Sequence, residues 1–282
     1  MHVSSRDRVL ITAEELMERL ESSDPPAVLD VRWRLDQTDG RTAFAEGHIP
    51  GAVYVSLADE LTDHELTGRG RHPLPSGAAL QSAARRWGIS SGQPVVVYDD
   101  WHRAGSARAW WVLSAAGLSD VRILDGGLAA WRAAGGELRP GDERPRAGDV
   151  TIAHRDLYRG ALATLTADEI AAGAVGTLVD ARAPERFRGE IEPVDPVAGH
   201  VPGAVNVPST SLLGDGGAFL DDGALRDRFA GLDGAVGVYC GSGVTAAVVL
   251  AALAATGIDA ALFPGSWSQW SSETGRAVAR GD

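Results

Sequence analysis

The chain has 282 residues, with 26 Lys or Arg against 38 Asp or Glu and a formal net charge of −12 at pH 7. This acidic balance argues against nucleic acid or an anionic membrane surface as the main partner. The apolar runs are shorter than the ~18–20 residues of a membrane span, and the N-terminal stretch lacks the apolar region and cleavage site of a signal peptide.

Short apolar segments alternate with helical patterns from the N-terminus onward. The runs Thr12-Ala13-Glu14-Glu15 and Thr166-Ala167-Asp168-Glu169 are typical of helix N-caps with acidic first turns. The segments Ala27–Val31, Val95–Tyr98 and Val121–Leu124 predict buried strands, and Ala107–Ala116 predicts a helix of small residues. Strands that alternate with helices predict a mainly parallel sheet with helices on both faces, which is an α/β fold.

The second half of the chain repeats these landmarks in the same order, at offsets of 139 to 152 residues. The recurring pairs are Val28–Arg32 with Leu178–Arg182, His48–Val53 with His200–Val205, Val95–Asp99 with Val236–Cys240, and Gly126–Trp131 with Gly265–Trp270. Two copies at this spacing predict duplicated domains, whereas a solenoid needs several shorter repeats. The segment 135–148 is rich in Gly, Pro and charge and is typical of a linker. We therefore predict domains at 1–145 and 146–282.

Cys240 is the single cysteine, which excludes an internal disulfide and a multi-cysteine metal site and predicts a reduced, cytoplasmic protein. It lies between the predicted strand 236–239 and a predicted helix at 244–256. The intervening Gly-Ser-Gly lets backbone N–H groups turn inward beside the positive end of the helix. Such a loop stabilises a thiolate and receives an anion. An inert buried cysteine is the alternative, and the position at the strand end favours a nucleophile.

At these motifs the sequence resembles the tandem-domain rhodanese superfamily, in particular the thiosulfate and 3-mercaptopyruvate sulfurtransferases. The motifs that carry the resemblance are Asp30-Val31-Arg32, both HxPGAV segments, Asp180-Ala181-Arg182, Glu185-Arg186-Phe187 and Cys240-Gly241-Ser242-Gly243-Val244-Thr245. The last run is similar to the active loop of the mercaptopyruvate branch, because the thiosulfate branch has Arg and Lys after its cysteine. The resemblance implies two α/β domains, of which the first is catalytically silent, since Asp99 stands at the position that corresponds to Cys240.

The resemblance further implies a reaction in which Cys240 takes a sulfur atom as a persulfide and passes it on. The donor is a small anionic sulfur compound, 3-mercaptopyruvate or thiosulfate, and the acceptor is cyanide, a thiol or a thioredoxin-like protein. No metal or organic cofactor is expected.

Several residues are expected to bind the anionic donor. Arg186 matches the substrate-binding arginine of the family, and a guanidinium fork suits a carboxylate or a sulfonate-like group. Arg182 is a second candidate, although its recurrence as Arg32 in the silent copy favours a structural role. The loop residues expected to contact the donor are Gly241, Gly243, Val244 and Thr245. The mercaptopyruvate branch places another arginine nine residues after the first, where this chain has Asp195, so the donor is left open.

A proton-transfer triad is implied as well, made of Ser242, His72 and an aspartate of the first domain. The segment 71–75 resembles the histidine segment of the family. The position that aligns best with the aspartate holds Ala58, and its neighbour Asp59 is the candidate. His48 and His200 recur in both copies and are expected to be structural, as are Trp131 and Trp270.

Two other functions remain as alternatives. The first is a cysteine-dependent phosphatase or arsenate reductase on the same fold, but those enzymes use a longer loop that ends in an arginine. The second is a non-catalytic rhodanese-like binding module, which is disfavoured because the cysteine and its Gly-Ser-Gly are intact.

Overall fold

The computed structural model describes residues 4–282. Residues 1–3, at the start of the N-terminal stretch that lacks the features of a signal peptide, lie outside the described residues. The chain divides into two compact units. The first contains the chain through Thr62, Leu74–Leu162 and Leu213–Phe219, and the second contains Asp63–Pro73, Ala163–Leu212 and Leu220–Asp282.

The first unit has a five-stranded parallel sheet in the order β1-β5-β4-β2-β3. Its strands are β1 (Leu10–Ile11), β2 (Ala27–Asp30), β3 (Val53–Tyr54), β4 (Val95–Tyr98) and β5 (Val121–Leu124). Its helices are α1 (Ser5–Val9), α2 (Ala13–Leu20), α3 (Arg41–Glu46), α4 (Leu57–Glu60), α5 (Gly77–Arg86), α6 (Ala104–Ala115) and α7 (Gly127–Ala133), and a 3-10 turn follows at Leu157–Arg159.

The second unit has a four-stranded parallel sheet in the order β7-β6-β8-β9. Its strands are β6 (Thr177–Asp180), β7 (Val205–Asn206), β8 (Val236–Tyr239) and β9 (Ala260–Leu262). Its helices are α8 (Ala167–Ala171), α9 (Pro184–Phe187), α10 (Asp222–Phe229), α11 (Ala246–Ala255) and α12 (Ser266–Trp270), with a 3-10 turn at Ser209–Leu212.

The predicted α/β class with two duplicated parallel sheets is confirmed, and so are the predicted strands, within one residue at their ends. The N-caps are also as predicted: Thr12 accepts the N–H of Glu15, and Thr166 forms a reciprocal capping box with Glu169. Two helix starts differ. α6 begins earlier, at Ala104, and α11 begins later, at Ala246, because Val244 still belongs to the loop after β8.

The central strands are buried on both faces, which explains their uninterrupted apolar sequences. α11 is equally apolar all round because nearly every one of its side chains is buried. Trp131 and Trp270 lie in the cores of the first and second units, as their recurrence predicted.

A buried Asp-Arg ion pair occurs in each unit, at the end of β2 in the first and at the end of β6 in the second. Arg32 pairs with Asp30 in the first unit, and Arg182 pairs with Asp180 in the second. The histidines of the HxPGAV segments are also buried: the Nδ1 atoms of His48 and His200 hydrogen-bond to the carbonyls of Phe44 and Phe187, and each ring stacks on that same phenylalanine. The expected structural role of both histidines agrees with these contacts.

The last residue of the predicted linker and the residues after it form hydrogen bonds within the first unit. The N–H groups of Gly148, Val150 and Ala153 donate to the carbonyls of Arg85, Ile89 and Ala116. The limits 1–145 and 146–282 stay a prediction for the domains. Among residues 4–282, no helix is both long and apolar enough to cross a membrane.

We expect Leu16→Ala to lower the free energy of unfolding of the first unit by about 2–5 kcal/mol, because Leu16 is completely buried in its core. Leu35→Ala is the matched control, since Leu35 is 51% exposed and should change stability by less than about 0.5 kcal/mol. Urea denaturation followed by tryptophan fluorescence measures both. Equal losses for the two variants would contradict the assigned core.

Candidate active site

Cys240 follows directly after β8, at the carboxyl end of the parallel sheet of the second unit. Ligands bind at this edge in open α/β sheets. The thiol is 1% exposed, and its sulfur accepts the backbone N–H of Gly243 at 3.1 Å. A backbone N–H directed at the sulfur stabilises negative charge there, and α11 begins directly after the loop and adds its positive end.

Gly243 is required by the shape of this loop. Its φ of +81° lies in the left-handed region, and an added Cβ would lie 2.5 Å from the carbonyl oxygen of Pro264. A residue with a side chain would therefore move the N–H that contacts the sulfur of Cys240. The sequence identified Gly243 as a loop residue, and the structure gives the reason.

A second turn, at residues 265–268, holds the cysteine loop in place. The hydroxyl of Ser266 accepts the N–H of Cys240 at 3.2 Å and donates to the carbonyl of Phe263. The N–H groups of Trp267 and Ser268 donate to the carbonyls of Cys240 and Gly241. Ser266 is fully buried with a φ of +52°, which is unusual for a residue with a side chain. Sequence reasoning missed Ser266, because its role lies in a backbone conformation that no motif reveals.

Ser242 and His72 are brought together, although they are 170 positions apart in the sequence. The Oγ of Ser242 lies 2.8 Å from Nδ1 of His72, within hydrogen-bonding distance. The segment Asp63–Pro73, which contains His72, belongs to the second compact unit, as Ser242 does. A hydroxyl bonded to an imidazole is a chemically sensible route for a proton.

Asp59 is placed differently. Its carboxylate accepts the hydroxyl of Ser56 at 2.7 Å, and its N–H donates to the same hydroxyl at the start of α4. These are the contacts of a helix N-cap. Asp59 belongs to the first unit, whereas Ser242 and His72 belong to the second, and its membership in a triad stays a prediction.

Arg186 lies beside Gly241, the residue that follows the cysteine. An added Cβ on Gly241 would be 3.4 Å from Nη1 of Arg186. The Nη2 atom of the same guanidinium is held by Glu192 at 2.6 Å and by Asp195 at 3.2 Å. One terminal nitrogen is thus anchored while the other faces the loop.

The two carboxyl groups that anchor Arg186 are themselves largely buried. Burial raises the pKa of Asp195, and its contact with Arg71 opposes that shift. Burial also acts to raise the pKa of Glu192, but hydrogen bonds from Arg186 and from the N–H of Asp195 outweigh it, so this pKa lies below its usual range.

Arg71 is a site residue that the sequence analysis did not identify. Its Nη1 forms an ion pair with Asp195, and its Nη2 would lie 3.3 Å from a Cβ on Gly241. Its own backbone N–H donates to the hydroxyl of Ser268. The only signal in the sequence was that Arg71 precedes His72, and nothing in the sequence connected it to Asp195.

Arg182 is occupied within its own unit. It is 3% exposed, and its guanidinium contacts Asp180, Glu192 and the carbonyl of Gly199 while stacking over the ring of Trp267. The pair with Asp180 and the bond to the carbonyl of Gly199 correspond to those of Arg32 with Asp30 and Gly47, and they favour the structural alternative. Its assignment to the donor stays a prediction.

The remaining loop residues, Val244 and Thr245, lie between the cysteine and α11. Val244 is buried, and Thr245 is the N-cap residue of α11 without a side-chain capping bond. Both stay predicted donor contacts.

In the first unit, a carboxylate fills the loop that corresponds to the cysteine loop of the second unit. Asp99 is completely buried, and its oxygens accept the N–H groups of Trp101 and Ser106 and the hydroxyl of Ser106. Arg103 forms an ion pair with it at 2.9 Å. The position that corresponds to the nucleophile therefore holds an anion whose partners come from its own loop.

Fold and site together define a class of protein. It has two α/β units with parallel sheets. In the second unit, the loop after a central strand carries a cysteine beside anchored guanidinium groups. The family model "Rhodanese-like domain" matches twice, at residues 12–134 and 162–273. The chain belongs to the rhodanese family and contains two such domains.

Individual relatives extend this comparison. The chain is 62% identical over 283 residues to a protein of Mycobacterium tuberculosis provisionally named thiosulfate sulfurtransferase SseB, with 99% of each chain covered. It is 34% identical over 272 residues to 3-mercaptopyruvate sulfurtransferase of Escherichia coli K12, with 92% of this chain and 94% of the relative covered. The crystal structure of SseA from Escherichia coli, described with the rhodanese fold of 3-mercaptopyruvate sulfotransferases, matches with a TM-score of 0.80 and 31% identity over 92% of this chain and 98% of SseA.

We expect Gly243→Ala to destabilise the second unit by about 1–3 kcal/mol more than Gly203→Ala. Both glycines have positive φ, so both variants carry the left-handed strain, but only a Cβ at Gly243 meets a backbone carbonyl; nothing lies within 4 Å at Gly203. Urea denaturation gives the stability, and the rate of alkylation of Cys240 by iodoacetamide reports the loop. The rate should change only in Gly243→Ala, and identical behaviour of the two variants would contradict the loop geometry.

Proposed function

We propose that this protein is a sulfurtransferase that carries sulfur on Cys240 as a persulfide between an anionic donor and a thiophilic acceptor. The observation that carries this proposal is the position of the Cys240 sulfur. It lies at the carboxyl end of β8 and accepts the N–H of Gly243, and the guanidinium of Arg186 lies beside the next residue, Gly241. The names of the relatives, thiosulfate and 3-mercaptopyruvate sulfurtransferases, support the same activity.

In the first step, the thiolate of Cys240 attacks the outer sulfur of the donor. A sulfur–sulfur bond forms on the cysteine, and the bond between that sulfur and the rest of the donor breaks. Thiosulfate releases sulfite with the bonding electron pair. 3-Mercaptopyruvate releases the pyruvate carbanion, which requires one proton to become pyruvate. Covalent catalysis of this kind divides the transfer into two easier displacements.

In the second step, the acceptor attacks the outer sulfur of the persulfide and Cys240 leaves as a thiolate. The N–H of Gly243 that stabilises charge on the sulfur in the free enzyme serves the leaving group again. Cyanide, a thiol or a thioredoxin-like protein are the acceptors we propose. No cofactor enters either displacement, since each electron pair comes from the attacking nucleophile and departs with the group that is displaced.

The pair Ser242 and His72 supplies the proton that the mercaptopyruvate reaction needs. The serine hydroxyl is in the loop beside the cysteine, and the imidazole 2.8 Å away can restore the proton that the hydroxyl gives up. Thiosulfate cleavage releases sulfite, a stable anion, and does not require this proton. The pair therefore favours 3-mercaptopyruvate as a donor.

The location and acceptor of the protein belong to this proposal. A cytoplasmic location, expected from the cysteine content, stays a prediction, as does the absence of nucleic-acid and membrane partners.

Replacing Cys240 should abolish transfer from both donors. Cys240→Ser keeps the size of the side chain but removes the sulfur nucleophile, so cyanide-dependent thiocyanate formation should fall to background. Mass spectrometry of the wild type after incubation with donor should show one added sulfur atom, absent in Cys240→Ser. Full activity in Cys240→Ser would overturn the proposed function, and activity toward an aryl phosphate would favour the phosphatase alternative.

The variants Ser242→Ala and His72→Ala should slow turnover of 3-mercaptopyruvate by about a hundredfold and that of thiosulfate much less. His102→Ala is the control, because His102 is an exposed histidine outside the segment 63–73. Steady-state rates with both donors measure this difference. A similar loss with both donors would contradict the proton-transfer role and indicate a structural one.

A further inference from the structure

A second guanidinium faces the cysteine loop from a part of the chain remote in sequence. Nη2 of Arg71 and Nη1 of Arg186 lie 3.3 Å and 3.4 Å from the position that a Cβ on Gly241 would occupy. Two arginines therefore converge on the residue directly after the nucleophile. Neither of these two nitrogens is hydrogen-bonded to any group of residues 4–282, so both remain available to a ligand.

The opposite side of each guanidinium is anchored by one shared carboxylate. Asp195 accepts Nη1 of Arg71 on Oδ1 and Nη2 of Arg186 on Oδ2. The carboxylate is 2% exposed, so water does not compete strongly for its oxygens. Since an arginine fork is planar, fixing one terminal nitrogen also fixes the direction of the other.

The backbone around Arg71 is held as firmly as its side chain. Gly70 has a φ of +81°, and an added Cβ there would be 2.4 Å from the carbonyl oxygen of Gly265. The N–H of Arg71 donates to Ser268, in the turn that also supports Cys240. The next residue, His72, contacts Ser242 in the cysteine loop. Arg71 is thus fixed relative to the cysteine by contacts on both sides.

We propose that Arg71 is a donor-binding residue, which forms with Arg186 a two-arginine site for the anionic group of the sulfur donor, and that Asp195 is the positioning residue for both. This inference rests on the proposed function and extends it. At Asp195 the chain lacks the arginine expected from its resemblance to the mercaptopyruvate branch. The structure assigns that lost positive charge to Arg71, which the aspartate holds by an ion pair.

The site suits a compact anion with two or more oxygens in one group, such as the carboxylate of 3-mercaptopyruvate or the oxygens of thiosulfate. Each arginine contributes one free terminal nitrogen, so the two can bind separate oxygens of one group. Asp195 and Glu192 balance the charges of the two arginines. The donor is therefore recognised more by the direction of the arginine N–H groups than by net charge.

The first test measures donor binding. Arg71→Met removes the guanidinium but keeps an unbranched side chain, and should raise KM for both donors about tenfold to a hundredfold with a smaller effect on kcat. Arg71→Lys should give an intermediate KM because it keeps the charge without the fork. Arg69→Met, an exposed arginine two residues away, is the matched control and should leave KM unchanged.

The second test distinguishes positioning from charge. Asp195→Asn removes one negative charge beside the donor, so a purely electrostatic role predicts a lower KM. If the aspartate positions the arginines, KM should rise, and the rise should be smaller when Asp195→Asn is added to Arg71→Met. A lower KM in Asp195→Asn would overturn the positioning role.

The third test does not depend on sulfur transfer. Iodoacetate and iodoacetamide are similar in size but differ in charge, and Cys240 is the one thiol that either can alkylate. We expect Arg71→Met to lower the ratio of the iodoacetate rate to the iodoacetamide rate about tenfold, while Arg69→Met leaves it unchanged.

The outcomes separate the two proposals. An unchanged rate ratio and unchanged KM in Arg71→Met, with reduced stability in urea, would show that the ion pair to Asp195 only docks the segment 63–73 and would overturn this inference. A reduced rate ratio in a protein that transfers no sulfur would instead support the anion site and overturn the proposed function.

Discussion

The chemistry of this protein depends on one short backbone contact, the N–H of Gly243 donated to the sulfur of Cys240. That contact requires a left-handed glycine packed against the carbonyl of Pro264, and a second turn in which Ser266 accepts the N–H of the cysteine itself. Neither turn holds its shape alone, because each supplies the hydrogen-bond partners of the other. The sulfur therefore lies in a fixed field of backbone dipoles before any substrate binds, which is how an enzyme stabilises charge without reorganising during the reaction.

The two units differ in the loop that follows a central strand of each sheet. In the first unit the loop after β4 is filled by its own carboxylate, with Asp99 paired to Arg103 and to the N–H groups that face it. In the second unit the same position has a sulfur, and the guanidinium groups approach from outside the loop, leaving free nitrogens toward it. Parallel sheets, buried Asp-Arg pairs and stacked histidines occur in both units, although the first sheet has five strands and the second has four. The scaffold is shared, and the difference in chemistry is confined to a few side chains around one turn.

The segment 63–73 belongs to the second unit, although the residues before and after it in the sequence belong to the first. It contributes His72 to Ser242 and Arg71 to Asp195, so two of the polar contacts around the cysteine loop come from residues more than a hundred positions away. In a site assembled in this way, an acidic residue can stand where the family motif has a basic one. Here Asp195 stands at that position, and the positive charge is supplied by Arg71 from another segment. Single-position comparison with a family motif therefore understates what the site can bind.

The amino-acid sequence by itself determined the duplication, the α/β class, the strands and the helix caps at Thr12 and Thr166, and it predicted Cys240 as the reactive residue. These features follow from local patterns: periods of apolar residues, capping spacings and a Gly-Ser-Gly after a strand. Only the tertiary structure decided that Ser242 meets His72, that Ser266 supports the cysteine, and that Arg71 is paired with Asp195. Those contacts join residues distant in sequence or depend on a backbone angle, and a motif contains no information about either.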